Sequence, residues 1–240
     1  MQSKQVRLRP LSRESRGQIM KTQRAIFLMS EQMGALAQSF ARGAELDIVS
    51  TTVNCLKDIE MAFSKPCDLL LSFGSGVIVP QYILQSPGLT AVNIHAASPE
   101  FPGRDPHHFA LYHGASRYGA TLHYMIDKVD HGRIVDVELF DVPKGISAAE
   151  LLAKADEAGI ELMRRFFTAY AKSGAPVPRD DLAWTGRKSK RSDFVELCRI
   201  DCGMTDTEFH RRMSSTVMPG FNNLYIDIHG YRFRIDGKAK

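Results

Sequence analysis

Asn93 and His95 stand two residues apart at the end of the apolar run AVNIH, and Asp130 follows 35 positions after the histidine in an Asp-His-Gly turn. Residues two apart on a strand project from the same face, so the amide and the imidazole point together. A fold that returns the Asp130 turn beside them would complete a polar triad. The Asn93 N–H2 group suits an oxyanion as it develops. His95, with an ordinary pKa of about 6.5, suits proton transfer near neutrality, and Asp130 suits holding the imidazole in one orientation. Taken singly, an Asn at a strand end is often a loop-entry residue and a His there a satisfied core group. Their combination is what points to chemistry.

The elements that must position these residues alternate between strand and helix. Short continuous apolar runs at 25–29, 46–49, 68–73 and 91–95 read as buried strands, with helical stretches at 32–41 and 56–63 between the first three. Phe73-Gly74-Ser75-Gly76 forms a Gly-containing turn into a helix starting at Pro80. Asp105-Pro106 reads as an N-cap and first turn for a helix at 106–113. Residues 120–126 alternate with a strand rhythm, a turn spans 127–132, and another strand follows at 134–140. A long amphipathic helix is expected at 147–172, then the linker SGAPVP at 173–178. Short helices at 193–197 and 205–213 and a hairpin (224–228, turn, 231–235) close the chain. This order predicts an α/β fold, an open, mostly parallel sheet, with a small C-terminal α+β tail. The expected division is an arm at 1–23, a core at 24–178 and a subdomain at 179–240. A nicotinamide or flavin enzyme is disfavoured, because SEQMGALAQ follows the first strand where a G-x-G-x-x-G turn would be needed.

Length and composition fit one domain with an appendage: 240 residues, 44% apolar and 24% charged. The net charge of +4 is too small to argue for a nucleic-acid partner, and the basic run GRKSKR at 186–191 reads as a solvated face. Cys55, Cys67, Cys198 and Cys202 are too sparse for a disulfide framework, and Cys198-x-x-x-Cys202 lacks two further ligands, so no metal is expected. No apolar segment is long enough to span a bilayer, and the charged N-terminus lacks a signal-peptide core; a cytoplasmic protein is expected.

Four elements fall in order with compatible spacing: Asn93-Ile94-His95; Pro99, Phe101 and Gly103; Gly119-Ala120-Thr121-Leu122-His123; and Asp130-x-Gly132-x-Ile134. They resemble the formyltransferases that use 10-formyltetrahydrofolate, a family that includes the glycinamide ribonucleotide, methionyl-tRNA and sugar-nucleotide enzymes. The resemblance implies a Rossmann-like core and acyl transfer through a tetrahedral carbon. Asn93 then stabilises the oxyanion, His95 relays protons and Asp130 orients and charge-balances His95. It further implies that Gly76, Val77 and Ile78, with Met125, Ile126, Asp127 and Asp130, line the folate. Of the other histidines, His107, His108, His113, His123 and His131 read as surface or flanking groups, with His131 nearest the folate.

The acceptor is read less directly. The phosphate-binding Gly-rich turn of a glycinamide ribonucleotide enzyme is missing, and the tail is short for a methionyl-tRNA enzyme. The Pro219-Gly220-Phe221 turn and the terminal hairpin most resemble the sugar-nucleotide N-formyltransferases, which implies a nucleotide-linked amino sugar of the O-antigen or lipopolysaccharide kind. Phe101 and Arg104 are the substrate-side residues on that reading, and the hairpin could mediate a homodimer. The loop departs from the family pattern, with Pro102 where an Arg or Lys usually precedes the Gly. A methionyl-tRNA or glycinamide ribonucleotide formyltransferase is the alternative within the family, and a catalytically silent folate- or nucleotide-binding relative is the alternative of another class.

Overall fold

The computed structural model describes residues 22–234. Most of the arm expected at 1–23, and the last residue of the expected hairpin, therefore lie outside the described residues. Six strands form one sheet: β1 (Gln23–Leu28), β2 (Ile48–Val53), β3 (Leu69–Phe73), β4 (Thr90–His95), β5 (Arg117–Tyr124) and β6 (Ile134–Asp141), in the order β2-β1-β3-β4-β5-β6. The first four strands run parallel, and β5 and β6 add antiparallel. The mostly parallel α/β sheet expected from the sequence is what forms.

Side-chain parity divides the sheet into two covered faces. On one, Phe27, Leu69, Leu71, Phe73, Val92, Ile94 and Leu122 are buried beneath α1 (Glu31–Gly43) and α5 (Ala148–Ser173), against Ala37, Leu162, Phe166 and Phe167. On the other, Ile26, Leu28, Leu70 and Ala91 meet Ile59 of α2 (Leu56–Ala62) and Ile83 of α3 (Gln81–Leu84). Each large side chain so buried contributes roughly 1.5–3 kcal/mol. α5 starts at a capping box between Ser147 and Glu150 and stops at Gly174, whose φ of 71° suits a residue without Cβ.

Two local expectations need correction. The second strand is not 46–49 but Ile48–Val53, with alternating exposure along IVSTTV. It is an edge strand, so Ser50, Thr51 and Thr52 fit a half-wet position and continue the strand past the apolar residues. Asp105 does not cap α4 (Pro106–Tyr112) through its side chain. Its φ of 53° places it in the left-handed region, whereas a side-chain N-cap needs extended backbone.

The C-terminal part packs back on this body. α6 (Arg191–Leu197) and α7 (Asp206–Thr216) lead to the hairpin β7 (Tyr225–Ile228) and β8 (Tyr231–Arg234). α7 lies against α4 and α5. Its Arg212 donates to the carbonyls of Glu196 and Arg199, each at 2.8 Å, and so caps the end of α6. Among the described residues no helix is long and apolar enough to cross a membrane.

Candidate active site

β4 positions the first two residues. Ala91 belongs to the α2–α3 face of the sheet, and strand parity puts Asn93 and His95 on that same face, at the carboxyl end of a parallel strand. The antiparallel register of β5 sets His123 directly opposite Asn93, and Thr121 opposite His95. The turn after β5 brings Asp130 back over this row. Asp130 holds φ 53°, and Gly132 beside it is obligatory, since a Cβ there would lie 1.7 Å from the Tyr124 carbonyl.

The resulting cluster has four members, not three. Asp130 Oδ2 lies 3.8 Å from His95 Nδ1, and its Oδ1 lies 3.5 Å from His123 Nε2. The Gly103 N–H donates to Asp130 Oδ2 at 2.9 Å. His123 Nδ1–H donates to the Tyr124 carbonyl at 2.9 Å, so its Nε2 accepts from Asn93 Nδ2 at 3.1 Å. Asn93 has a second N–H to offer a ligand. His95 Nε2–H donates to the Phe101 carbonyl at 3.0 Å, which leaves Nδ1, the nitrogen facing Asp130, as the one that takes a proton.

Electrostatics match that assignment. Burial pushes the His95 pKa below its usual 6.5, against the opposing pull of the Asp130 charge. Burial alone would raise the Asp130 carboxyl. Against protonated imidazoles, the hydrogen bond from His123 and the charges of His95 and His123, with the Gly103 amide, outweigh it and bring Asp130 down to about 2. At neutral pH the site therefore holds a carboxylate beside a neutral imidazole able to accept a proton.

His123 was expected only to flank the site; it is buried within it. Trp184 had no assigned role, yet its ring meets both imidazoles edge-on, with centroids 5.1 Å from His123 and 5.9 Å from His95. Its indole N–H donates to the Gly132 carbonyl at 2.8 Å. His107 and His108 are not surface groups: both are buried, α4 packs against α7, His108 Nδ1–H donates to the Ser215 carbonyl at 2.7 Å, and neither ring nitrogen of His107 has a partner. His131 is exposed and donates to the Val129 carbonyl.

Of the expected folate residues, Val77 and Met125 reach the Asn93 face of the sheet. Val77 and Met125 both pack on the cluster that contains Ala91, and Met125 N–H donates to the Ala91 carbonyl at 2.9 Å. Gly76 has open space around it, and Ile78 and Ile126 stay 64% and 42% exposed, as does the Asp127 side chain. Exposed apolar side chains and an open main chain at Gly76 suit contact with a flat heteroaromatic ring. Loop 100–102 also lines a cavity of about 540 Å³, together with Phe109, His113, Arg187, Lys188 and Glu196, among others. Phe101 also packs on Tyr118. Arg104 points outward, 3.9 Å from the Asp105 carboxylate, and meets the tail through its main chain. Among the described residues no group of three His, Cys, Asp or Glu is placed to hold a metal ion.

Residues 61–166, which include all four clustered side chains, match the formyl transferase family. This chain carries a formyl transferase domain. Methionyl-tRNA formyltransferase of Staphylococcus epidermidis is 26% identical over 160 residues, 65% of this chain and 50% of that protein. The chain thus spans about half the length of the curated relatives it matches first. Among solved structures, a sugar N-formyltransferase from Shewanella has a TM-score of 0.76 at 14% identity, covering 89% of this chain and 96% of that one. An N-formyltransferase from Helicobacter canadensis, in complex with folinic acid and dTDP-3-aminofucose, has a TM-score of 0.62 at 14% identity, covering 87% and 84%. The likeness to these structures establishes that the formyl transferase domain and its tail share their fold.

Proposed function

We propose that this chain is an N-formyltransferase that moves a formyl group from 10-formyltetrahydrofolate to the amine of a nucleotide-linked amino-deoxy sugar. The observation that carries the reading is the convergence of Asn93, His95, His123 and Asp130 at the carboxyl end of β4. The folate supplies an activated formyl carbon; the chain's own groups do the rest. The free N–H of Asn93 meets the formyl oxygen as negative charge grows, an effect worth roughly 3–4 kcal/mol for one preorganised donor. His95 Nδ1 takes the proton of the attacking amine and passes it to the folate nitrogen as the bond from that nitrogen to the formyl carbon breaks, while Asp130 stabilises the transient imidazolium and holds it in place. His123 fixes the Asn93 amide by accepting its other N–H.

The sugar-nucleotide acceptor is supported by the match of nearly the whole chain, tail included, to a structure described as a sugar N-formyltransferase and to an N-formyltransferase in complex with dTDP-3-aminofucose. A methionyl-tRNA acceptor is the second reading, favoured by the curated relatives, though at 26% identity over half their length. A catalytically silent folate- or nucleotide-binding relative is the third, and the complete cluster argues against it. Incubation with 10-formyltetrahydrofolate and a panel of amino-sugar nucleotides, Met-tRNA and glycinamide ribonucleotide separates them. Formylation of an amino-sugar nucleotide is expected; turnover of Met-tRNA alone would replace the first reading by the second, and folate binding without any turnover would favour the third.

A further inference from the structure

The basic run at 186–191 is not simply a solvated face. The segment 184–189 lies along loop 99–104 and hydrogen-bonds to it repeatedly. Thr185 N–H donates to the Pro99 carbonyl at 3.1 Å, Ser189 N–H to Pro102 at 2.9 Å, and Arg104 N–H to Ser189 at 3.2 Å. The Ser189 hydroxyl adds a bond to the Arg104 carbonyl at 2.6 Å. Two glycines make the approach possible. A Cβ on Gly186 would lie 1.6 Å from the Glu100 carbonyl oxygen, and one on Gly103, whose φ is 101°, would lie 2.3 Å from that of Ser189. Loop 99–104 carries the carbonyl that holds His95 and the N–H that holds Asp130.

The same segment also grips the Asp130 turn. Trp184 donates to Gly132, and the Lys188 ammonium donates to the Val129 carbonyl at 2.9 Å, so the turn is tied on both sides of the carboxylate. Between these anchors the indole packs edge-on against both imidazole rings. We propose that residues 184–189 form a strap that registers loop 99–104 with the Asp130 turn and keeps water off His95 and His123, with Trp184 as its positioning residue. The strap reaches the reaction only through other groups: Trp184 sets where the imidazoles lie and what solvent they see. Lys188 and Ser189 also line the neighbouring cavity, so one short segment walls both the acid–base cluster and that cavity. The proposal rests on the formyl-transfer reading for its kinetic consequence but not for its structural one.

The groups that face His95 are Asp130, His123 and Lys188, and burial is the largest influence on it. Taking away the indole admits water, which raises the His95 pKa; loss of an imidazolium–indole attraction would act the other way, and burial dominates. The test is an NMR pH titration of the histidine ring protons in the full chain, with His95→Gln and His123→Gln used to assign the signals. In Trp184→Ala the His95 midpoint should rise by about half a pH unit or more, while exposed His229 stays put. Trp184→Phe, which retains a ring, should rise by less. With the acceptor that turns over, kcat should fall on the order of tenfold in Trp184→Ala at little change in the KM for folate, and Phe should restore part of it.

An unmoved His95 midpoint in Trp184→Ala, or an equal movement of His229, overturns the strap. If Trp184→Ala does not fold, Trp184→Phe and Lys188→Met take its place, and wild-type midpoints in both overturn it. Because the titration needs no turnover, a wild type that formylates nothing would sink the functional reading and leave the strap standing.

Discussion

His95 and Asp130 work as a pair because burial and charge act on them in opposite directions. Burial keeps His95 neutral, and its partners keep Asp130 ionised down to about 2. The base form of His95 is the deprotonated one, and its folded pKa lies below 6.5. Formyl transfer should therefore stay level from about pH 8 down past pH 6.5 and fall only below it, as seen in kcat/KM across pH. A rate that halves near pH 7 would mean that His95 is not the base. Asp130→Asn keeps the shape and an oxygen for the Gly103 amide but removes the charge that balances the imidazolium. It should lower kcat by about 10²- to 10⁴-fold with little change in melting temperature; a rate within twofold of wild type would remove Asp130 from the mechanism.

At the scale of elements, β1, β3 and β4 were legible because a strand covered on both faces is an unbroken apolar run, and α5 because its apolar stripe recurs at helical spacing. β2 was half-missed: at a sheet edge Ser and Thr are acceptable, so apolar content no longer marks the strand. The Asn93–His95 pairing needed only strand parity. His123 needed the antiparallel register of β5 on β4, and Trp184 a contact 89 positions from His95 in sequence. Neither follows from local pattern. The same cause hid His107 and His108, since nothing near α4 in sequence announces that α7 will cover it. His107 leaves both ring nitrogens buried and unpartnered, and burial brings its pKa down to about 3. An unfolded His binds its proton near pH 6.5, so this site withdraws stability as pH falls from about 6.5 towards 3 and costs nothing in that way above it. His107→Phe removes both unmet hydrogen bonds and the titration, and should raise stability at pH 7 by about 1–3 kcal/mol, with a smaller loss of melting temperature on acidification. Thermal melts at pH 7 and pH 5 check both; a lower melting temperature at both would show that the imidazole packs better than a phenyl ring.

On the scale of the whole molecule, the body and the hairpin pose opposite problems. The six-stranded sheet is covered on both faces and needs nothing further. The hairpin is two strands, marginal by itself, tied to the body through bonds between Tyr225 and residues Cys198 and Ile200. Its pairing register puts Ile226 opposite Phe233 and Ile228 opposite Tyr231, so these four side chains share one face. Three of them are exposed, Tyr231 at 72%. The opposite face is occupied, with Arg232 stacked 3.8 Å over the Tyr225 ring. An apolar face of a small sheet left in water costs free energy that a second copy of the same face would recover, and a two-fold axis makes such a contact self-complementary. On this argument a homodimer through the hairpins is the expected assembly. Sedimentation at micromolar concentration should give twice the chain mass, and Tyr231→Glu with Phe233→Glu, which buries two carboxylates if the contact forms, should give the monomer with an unchanged circular dichroism spectrum. Wild-type protein that sediments as a monomer across that range would rule out a subunit contact at this face.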